Sequence, residues 1–390
     1  MNRKQIPFSR SFIDGYRVFL RGTRILVWGI GAVLAIRNAQ AASSGPEANH
    51  AVATAASACG NSEPAQFESK DWELQCDNTG TCRAAGYQAE GDFDHLVSLL
   101  IVRAAGPRAP LKMTLQTGDE SPAEGRLRIS VAGVAVDGLR PAMAHISPLD
   151  SKRLLPALLR ASSADVSTPA SHWTLSLAGL NAVLLKMDEA QGRLDTPGAL
   201  IRKGRARSEA SVPRPVAAPV IDNRLPVHAK PGDTALAPQV FAALDLKDAR
   251  ENCNDGDKLS VSDLHVRRLT DNTLLASLEC GTGAYNAITY NWLVADAPPW
   301  RSTAIDADGD FDARDGSIKS VFKGRGIADC ISSTTWHLTP GGFVKTAASG
   351  DGMCRGFGGG AWDMPSYVTR LAHPPTKAPT TAFEQLNRKP

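Results

Sequence analysis

The chain of 390 residues lacks the signatures that usually betray an activity. It has no GxSxG, no HExxH, no Walker loop and no GxGxxG leading into a helix, which excludes the familiar serine hydrolases, zinc peptidases and nucleotide-binding enzymes. Its eight histidines are scattered, with no pair at i, i+3 or i+4. None of its seven cysteines stands in CxxC spacing or has a histidine at zinc-finger distance, which argues against a structural zinc site. Long hydrophobic runs are missing as well. The apolar run at residues 25–36 (ILVWGIGAVLAI) is twelve residues, against roughly 20 needed to cross a bilayer, and no later run approaches that length.

What surrounds that short run is informative. Arg3, Lys4, Arg10, Arg17, Arg21 and Arg24 precede it, opposed by Asp14 alone, and Ala39-Gln40-Ala41 follows. Basic, apolar, then small-x-small is the order of a secretory signal peptide, so residues 1–41 are expected to be removed and the mature protein to begin at Ala42. That segment, with Arg37, carries seven basic groups and one acidic, or +6 of a whole-chain +3, leaving a mature chain near −3. The basic balance therefore belongs to the signal and gives no argument for nucleic acid. The expected location is the periplasm or beyond, with no membrane span in the mature chain.

In an oxidising compartment cysteines are expected as disulfides. Six cysteines allow fifteen pairings. The neighbouring choice, Cys76–Cys82, Cys253–Cys280 and Cys330–Cys354, closes each loop within one half of the chain and leaves Cys59 as a free thiol. The length suggests two domains. Residues 42–64 are small and polar and read as a disordered lead-in. Residues 208–233 are rich in proline, including Pro213, Pro215 and Pro219, and read as an extended linker. The expected organisation is an N-terminal domain at 65–207, a C-terminal domain at 234–373 and a flexible tail at 374–390. The basic cluster at 202–207 reads as a solvated domain end.

Within the first half, alternation and apolar runs predict strands near 72–75, 81–87, 96–102, 127–136 and 173–177. Ser147-Pro148-Leu149-Asp150 is a helix start, with Leu154, Leu155, Leu158 and Leu159 as its apolar stripe. A second helix is expected over 178–191, stopped by Gly192. The second half opens with short helical patterns around Val240, Phe241 and Leu244. It continues as an antiparallel meander, with hairpins predicted about residues 270–273 and 339–342. The fold class is mainly β with minor helix (α+β): two β-rich, disulfide-containing domains joined by a Pro-rich linker.

Several segments together resemble a known family. They are KDWELQC (70–76), TCRAAGY (81–87), LLKMDEAQGRL (184–194), TPGALIRK (196–203), GTGAYN (281–286), KGRGIADC (323–330) and MCRG (353–356). In this order they resemble the bacterial exported family known as domain of unknown function 1176. The resemblance implies an exported protein with six cysteines, matching all but Cys59. Ile331 departs from it, standing where the family has a small residue. The first half alone is similar in pattern to the invasion-associated locus B family, through Asp71-Trp72, Cys76 and Ser176-Leu177-Ala178-Gly179-Leu180 between a strand and a helix. That likeness implies a compact β-rich domain with an interaction role at the envelope. Neither resemblance supplies a catalytic residue.

One constellation suggests a cation. Asp306, Asp308, Asp310 and Asp312 alternate around Gly309, and calcium favours six to eight oxygens. Glycine falls at the fourth position and Ser317 at the twelfth, so the stretch is not an EF-hand loop, and an acidic surface loop without an ion is the plainer reading. His172 beside Trp173 and His337 beside Trp336 read as surface or satisfied histidines. The glycines at 281–283 and 324–326 read as tight turns. The expected function is a non-enzymatic binding or interaction module meeting an envelope protein or glycan. The alternative is a hydrolase acting on cell wall or polysaccharide through two carboxylates.

Overall fold

Alternating large apolar and polar residues build the first sheet. In β2 (Trp72–Cys76), β3 (Cys82–Tyr87), β4 (Val97–Arg103) and β5 (Leu111–Thr117), one face carries Trp72, Leu74, Ala84, Leu99, Ile101 and Met113, all buried. With β1 (Gln66–Ser69) and β8 (Met143–Ile146) these strands form a six-stranded antiparallel sheet, ordered β1-β2-β3-β4-β5-β8. A second sheet, β10-β9-β6-β7, joins β6 (Leu127–Val131), β7 (Val134–Leu139), β9 (Ser163–Ser167) and β10 (His172–Ser176). Two helices, α1 (Pro148–Leu158) and α2 (Leu180–Ala190), share its core through Leu154, Leu158, Leu180, Val183, Leu184 and Met187. Helix α1 starts as predicted: the Ser147 hydroxyl accepts from the Asp150 N–H at 3.1 Å. Before α2, Gly179 has φ +99°, and a Cβ there would lie 1.8 Å from the Ser69 carbonyl oxygen, so this turn requires glycine. The single strand predicted at 127–136 is in fact the hairpin β6–β7. Ala132 and Gly133 both take positive φ and reverse the chain in two residues without interrupting the apolar alternation.

The coordinates, a computed structural model, describe residues 64–118, 125–140, 143–254, 256–281, 283, 285–351 and 353–374. The predicted signal at 1–41, Cys59, the predicted lead-in at 42–64 apart from Pro64 and the predicted tail at 374–390 apart from Pro374 lie outside the described residues. No helix among the described residues is long and apolar enough to cross a membrane.

The second half stacks two more sheets. β12 (Leu264–Arg268), β13 (Thr273–Gly281), β14 (Ala287–Ala295) and β15 (Ser302–Ala304) form one in sequence order. Its Leu274, Ala276, Leu278 and Val294 lie under α3 (Ala237–Ala242) and α4 (Lys247–Asn252). Its Leu275 and Leu293 meet Ile318, Trp336, Leu338 and Phe343 of the other sheet. That sheet runs β16 (Asp310–Asp312), β17 (Ser317–Lys323), β18 (Ile331–Thr339), β19 (Gly342–Asp351), β20 (Met364–Val368), also in sequence order. Both predicted hairpins are present, as β12–β13 and β18–β19. The fold is mainly β, as predicted.

The separation into two domains on a free linker is not what the described residues display. They belong to one compact unit, Gly60–Pro390. The Pro-rich segment is a strap: β11 (Val220–Ile221) pairs in parallel with β21 (Arg370–Leu371), Arg224 N–H donates to Leu338 at 2.7 Å, and Val227 N–H to Leu269 at 3.1 Å. Asp233 closes the strap with two hydrogen bonds from Arg268, at 2.7 and 2.9 Å, which hold its carboxyl below the usual carboxylate range. Meanwhile the outer face of the six-stranded sheet offers Ala85 and Tyr87 to Phe357, Ala361 and Trp362 from the far end of the chain. Proline content exposes no tether here, because proline also suits extended segments laid on a sheet rim.

Candidate functional site

The five-stranded sheet buries one face against β12–β15 and turns the other outward. Register shifts between Thr335 and Trp336 on β18, facing β19, and between Ala348 and Ser349 on β19, facing β20. Such bulges bend and twist a sheet locally. The bent face bounds a cavity of about 340 Å³, within the size range of small-molecule pockets. Lys319, Val321, Ser333, Thr335 and His337 line it from β17 and β18; Trp362, Pro365, Tyr367, Val368 and Leu371 line it from the following segment. The Lys345 ammonium sits 5.3 Å from the Tyr367 ring centroid.

His337 is the unusual member. It is 4% exposed, and its Nδ1 lies 2.7 Å from the Thr346 hydroxyl. That hydroxyl also lies 3.1 Å from the Thr335 carbonyl, so its one proton serves either the carbonyl or the ring. The ring's Nε2 is buried and has no hydrogen-bond partner among the described residues. Burial pushes the imidazole below its usual value, opposed in part by the Asp315 carboxylate and helped by a smaller push from the Lys319 ammonium. Lys319 and Asp315 are themselves paired at 3.0 Å, and Asp315 also accepts from the Ser317 N–H at 3.1 Å. The reading of His337 as a surface or satisfied residue is thus corrected. It is buried and half satisfied, because the bulge at Thr346 gives one ring nitrogen a partner and leaves the other without. Its sequence signal was the polar alternation Ser333, Thr335, His337 opposite the apolar Trp336 and Leu338, a pattern that a solvent-facing strand shares.

The four aspartates weighed as a calcium loop, and read more plainly as an acidic surface loop, have separate surroundings. Asp308 accepts from the Ser320 hydroxyl at 3.2 Å, Asp310 from the Thr289 hydroxyl at 3.2 Å, and Asp312 is held bidentately by Arg314, which keeps its carboxyl low. Asp306 is exposed. Among the described residues, the group with metal-ligand proximity is Asp329, Cys330 and Cys354, and its two sulfurs are joined to each other. The other bonds are Cys76–Cys82 and Cys253–Cys280. His172 makes an exposed pair with Asp165 at 3.3 Å.

The segments that carried the family resemblance have structural work. Arg355 lies 3.1 Å from Asp71 and donates to the Lys70 carbonyl, while Gln88 donates to the Arg355 carbonyl at 2.8 Å. Asp329, fully covered, accepts from Arg325 and from the Gly356 N–H, fixing the loop that the Cys330–Cys354 bond closes. Behind α2, Asp188 accepts the Leu200 and Ile201 N–H groups at 2.7 and 2.9 Å and faces Arg103 at 3.6 Å. Burial raises the Asp188 carboxyl and pushes Arg103 down to about 10. This buried network pins residues 195–209 to the sheet; it opens on no cavity that is described.

Residues 66–370 match the family described as Protein of unknown function (DUF1176). The chain is 26% identical over 338 residues to the Uncharacterized protein YpfG of Escherichia coli (strain K12), covering 79% of this chain and 94% of that protein. No solved structure matches. With its matched region running from β1 into β21, the chain belongs to the DUF1176 family.

Proposed function

We propose that this protein is an exported envelope protein that binds a ligand in the cavity of its C-terminal sheet and performs no catalysis there. The observation that carries the reading is a 340 Å³ cavity whose lining includes His337, a buried residue whose Nε2 has no hydrogen-bond partner among the described residues. A buried polar atom without a partner is costly, and such atoms concentrate where a ligand or bound water completes the bonding. The carboxylates give the hydrolase alternative little support. Among the described residues the lining holds one carboxylate, Asp363, which accepts from the Ser349 hydroxyl, whereas glycosidases need two facing carboxyls. Export after cleavage at Ala41, a periplasmic location, and an envelope protein or glycan as partner complete the proposal. They rest on the signal pattern, the three disulfides and the pattern likeness of the first half to the invasion-associated locus B family.

A fragment screen on isotope-labelled mature protein tests the site. Bound fragments should perturb the resonances of Val321, His337 and Tyr367. A screen whose hits all map elsewhere would reject this cavity as the binding site, and release of sugar from peptidoglycan by the pure protein would favour the hydrolase.

A further inference from the structure

We propose that the basic segment after α2 is a docking surface for a membrane rich in anionic phospholipid. From the sequence its cluster at 202–207 reads as a solvated domain end, and the fold adds to it. Arg202, Lys203, Arg205, Arg207 and Arg214 are exposed on this one segment. Arg108, also exposed, is tied to it because its N–H donates to Glu209 at 2.9 Å. The only acids between residues 193 and 216 are Asp195 and Glu209. Arg202 holds Asp195 bidentately at 2.7 and 2.9 Å, and the covered Arg193 faces Glu209 at 3.3 Å. The other five cations are left without an ion pair among the described residues, on a chain whose charge outside the predicted signal is near −3.

The segment is fixed in place. The Arg207 N–H donates to the Asp195 carbonyl and the Gly204 N–H to the Thr196 carbonyl, both at 3.1 Å, and Val212 is buried. A backbone already held costs less entropy to dock. Five of the six cations are arginines, whose guanidinium forks match phosphate oxygens. What favours a membrane over a phosphate polymer in solution is the apolar neighbour. Val216 is 63% exposed, and Pro213 and Pro215 beside it are exposed as well. Apolar groups flanked by cations suit the boundary between headgroups and acyl chains, where the first enter hydrocarbon and the second meet phosphate. The segment shares no residue with the cavity lining, so docking here is independent of ligand binding there.

The test sediments full-length mature protein with phosphatidylcholine vesicles that contain phosphatidylglycerol, and with phosphatidylcholine vesicles alone. Binding is expected to the first kind only, and should fall as salt is raised. K203Q/R205Q/R214Q removes three charges without breaking an ion pair. It should bind on the order of a hundredfold more weakly, at roughly fivefold per charge near an anionic surface. K247Q/R250Q/R267Q removes the same charge from exposed positions of the second half and should bind as wild type does. V216S should weaken vesicle binding roughly fourfold, the value of about one methylene group withdrawn from water, and leave binding to inorganic polyphosphate unchanged. Melting temperatures check that each variant folds. If the first triple variant does not, R205Q alone replaces it, with a loss of about fivefold. Absence of phosphatidylglycerol-dependent binding, or equal losses in the two triple variants, would overturn the docking surface. Vesicle binding that V216S leaves untouched would overturn the membrane in favour of a phosphate-rich polymer.

Discussion

His337 shows how one residue acquires a role through its neighbours. Burial disfavours the imidazolium form of its ring, and the lowered value has a direct consequence for stability. The unfolded chain's histidine takes up its proton near pH 6.5, while the folded ring resists until a lower pH. Between those values the unfolded state binds more protons, so stability is constant above about pH 6.5 and falls as pH drops through the window below it. Thermal melts of wild type and H337F from pH 8 to pH 5 should show a shallower acid decline in the variant. Identical slopes would assign the sensitivity to other groups.

At the scale of elements, β4 and the segment after α2 depend on one buried ion pair. Arg103 on β4 donates to the Ala109 and Gly198 carbonyls at 3.2 and 2.8 Å and faces Asp188 of α2. Replacing it with methionine fills similar volume and leaves Asp188 buried without its counter-charge. Breaking one side of a buried pair costs about 3–5 kcal/mol, so R103M should lower the unfolding free energy extrapolated from urea melts by an amount in that range. The double variant R103M/D188L should recover part of the loss, and a single variant as stable as wild type would contradict the arrangement. Elements of this kind were only half legible. The Ser147 cap, the stripe of α2 and both C-terminal hairpins follow from local chemistry and period. The β6–β7 turn was hidden because Ala132 is no turn residue by habit, and a two-residue reversal preserves alternation.

For the whole molecule, the decisive contacts cross the chain's midpoint. The Trp362 indole donates to Ser98 at 2.7 Å and Gln116 donates to the Ala361 carbonyl at 2.6 Å. The loop carrying these residues begins at the Cys330–Cys354 bond. Urea unfolding should therefore be one transition, with tryptophan fluorescence and far-ultraviolet circular dichroism superimposing. Removing that disulfide by C330S/C354S should cost about 2–5 kcal/mol and shift the single transition as a whole. Two separated transitions, with the first half unaffected, would restore the picture of independent domains.

The sequence by itself determined what local rules govern. Apolar alternation set the β class, the cap and glycine signals bounded the helices, and neighbouring cysteines in each half were near enough to pair. It also carried the family, since KDWELQC, TPGALIRK and MCRG are contiguous strings. Only the tertiary structure decided the rest. Whether a proline-rich stretch is a tether or a strap depends on the rim it meets, here β21 and Leu338. Whether four aspartates form a cation site depends on where their oxygens point, and each found a separate partner or solvent. Whether a histidine on a polar strand face is wet or buried depends on two bulges and on a segment roughly thirty residues further along the chain. Alternation says which face a side chain takes. It does not say what covers that face.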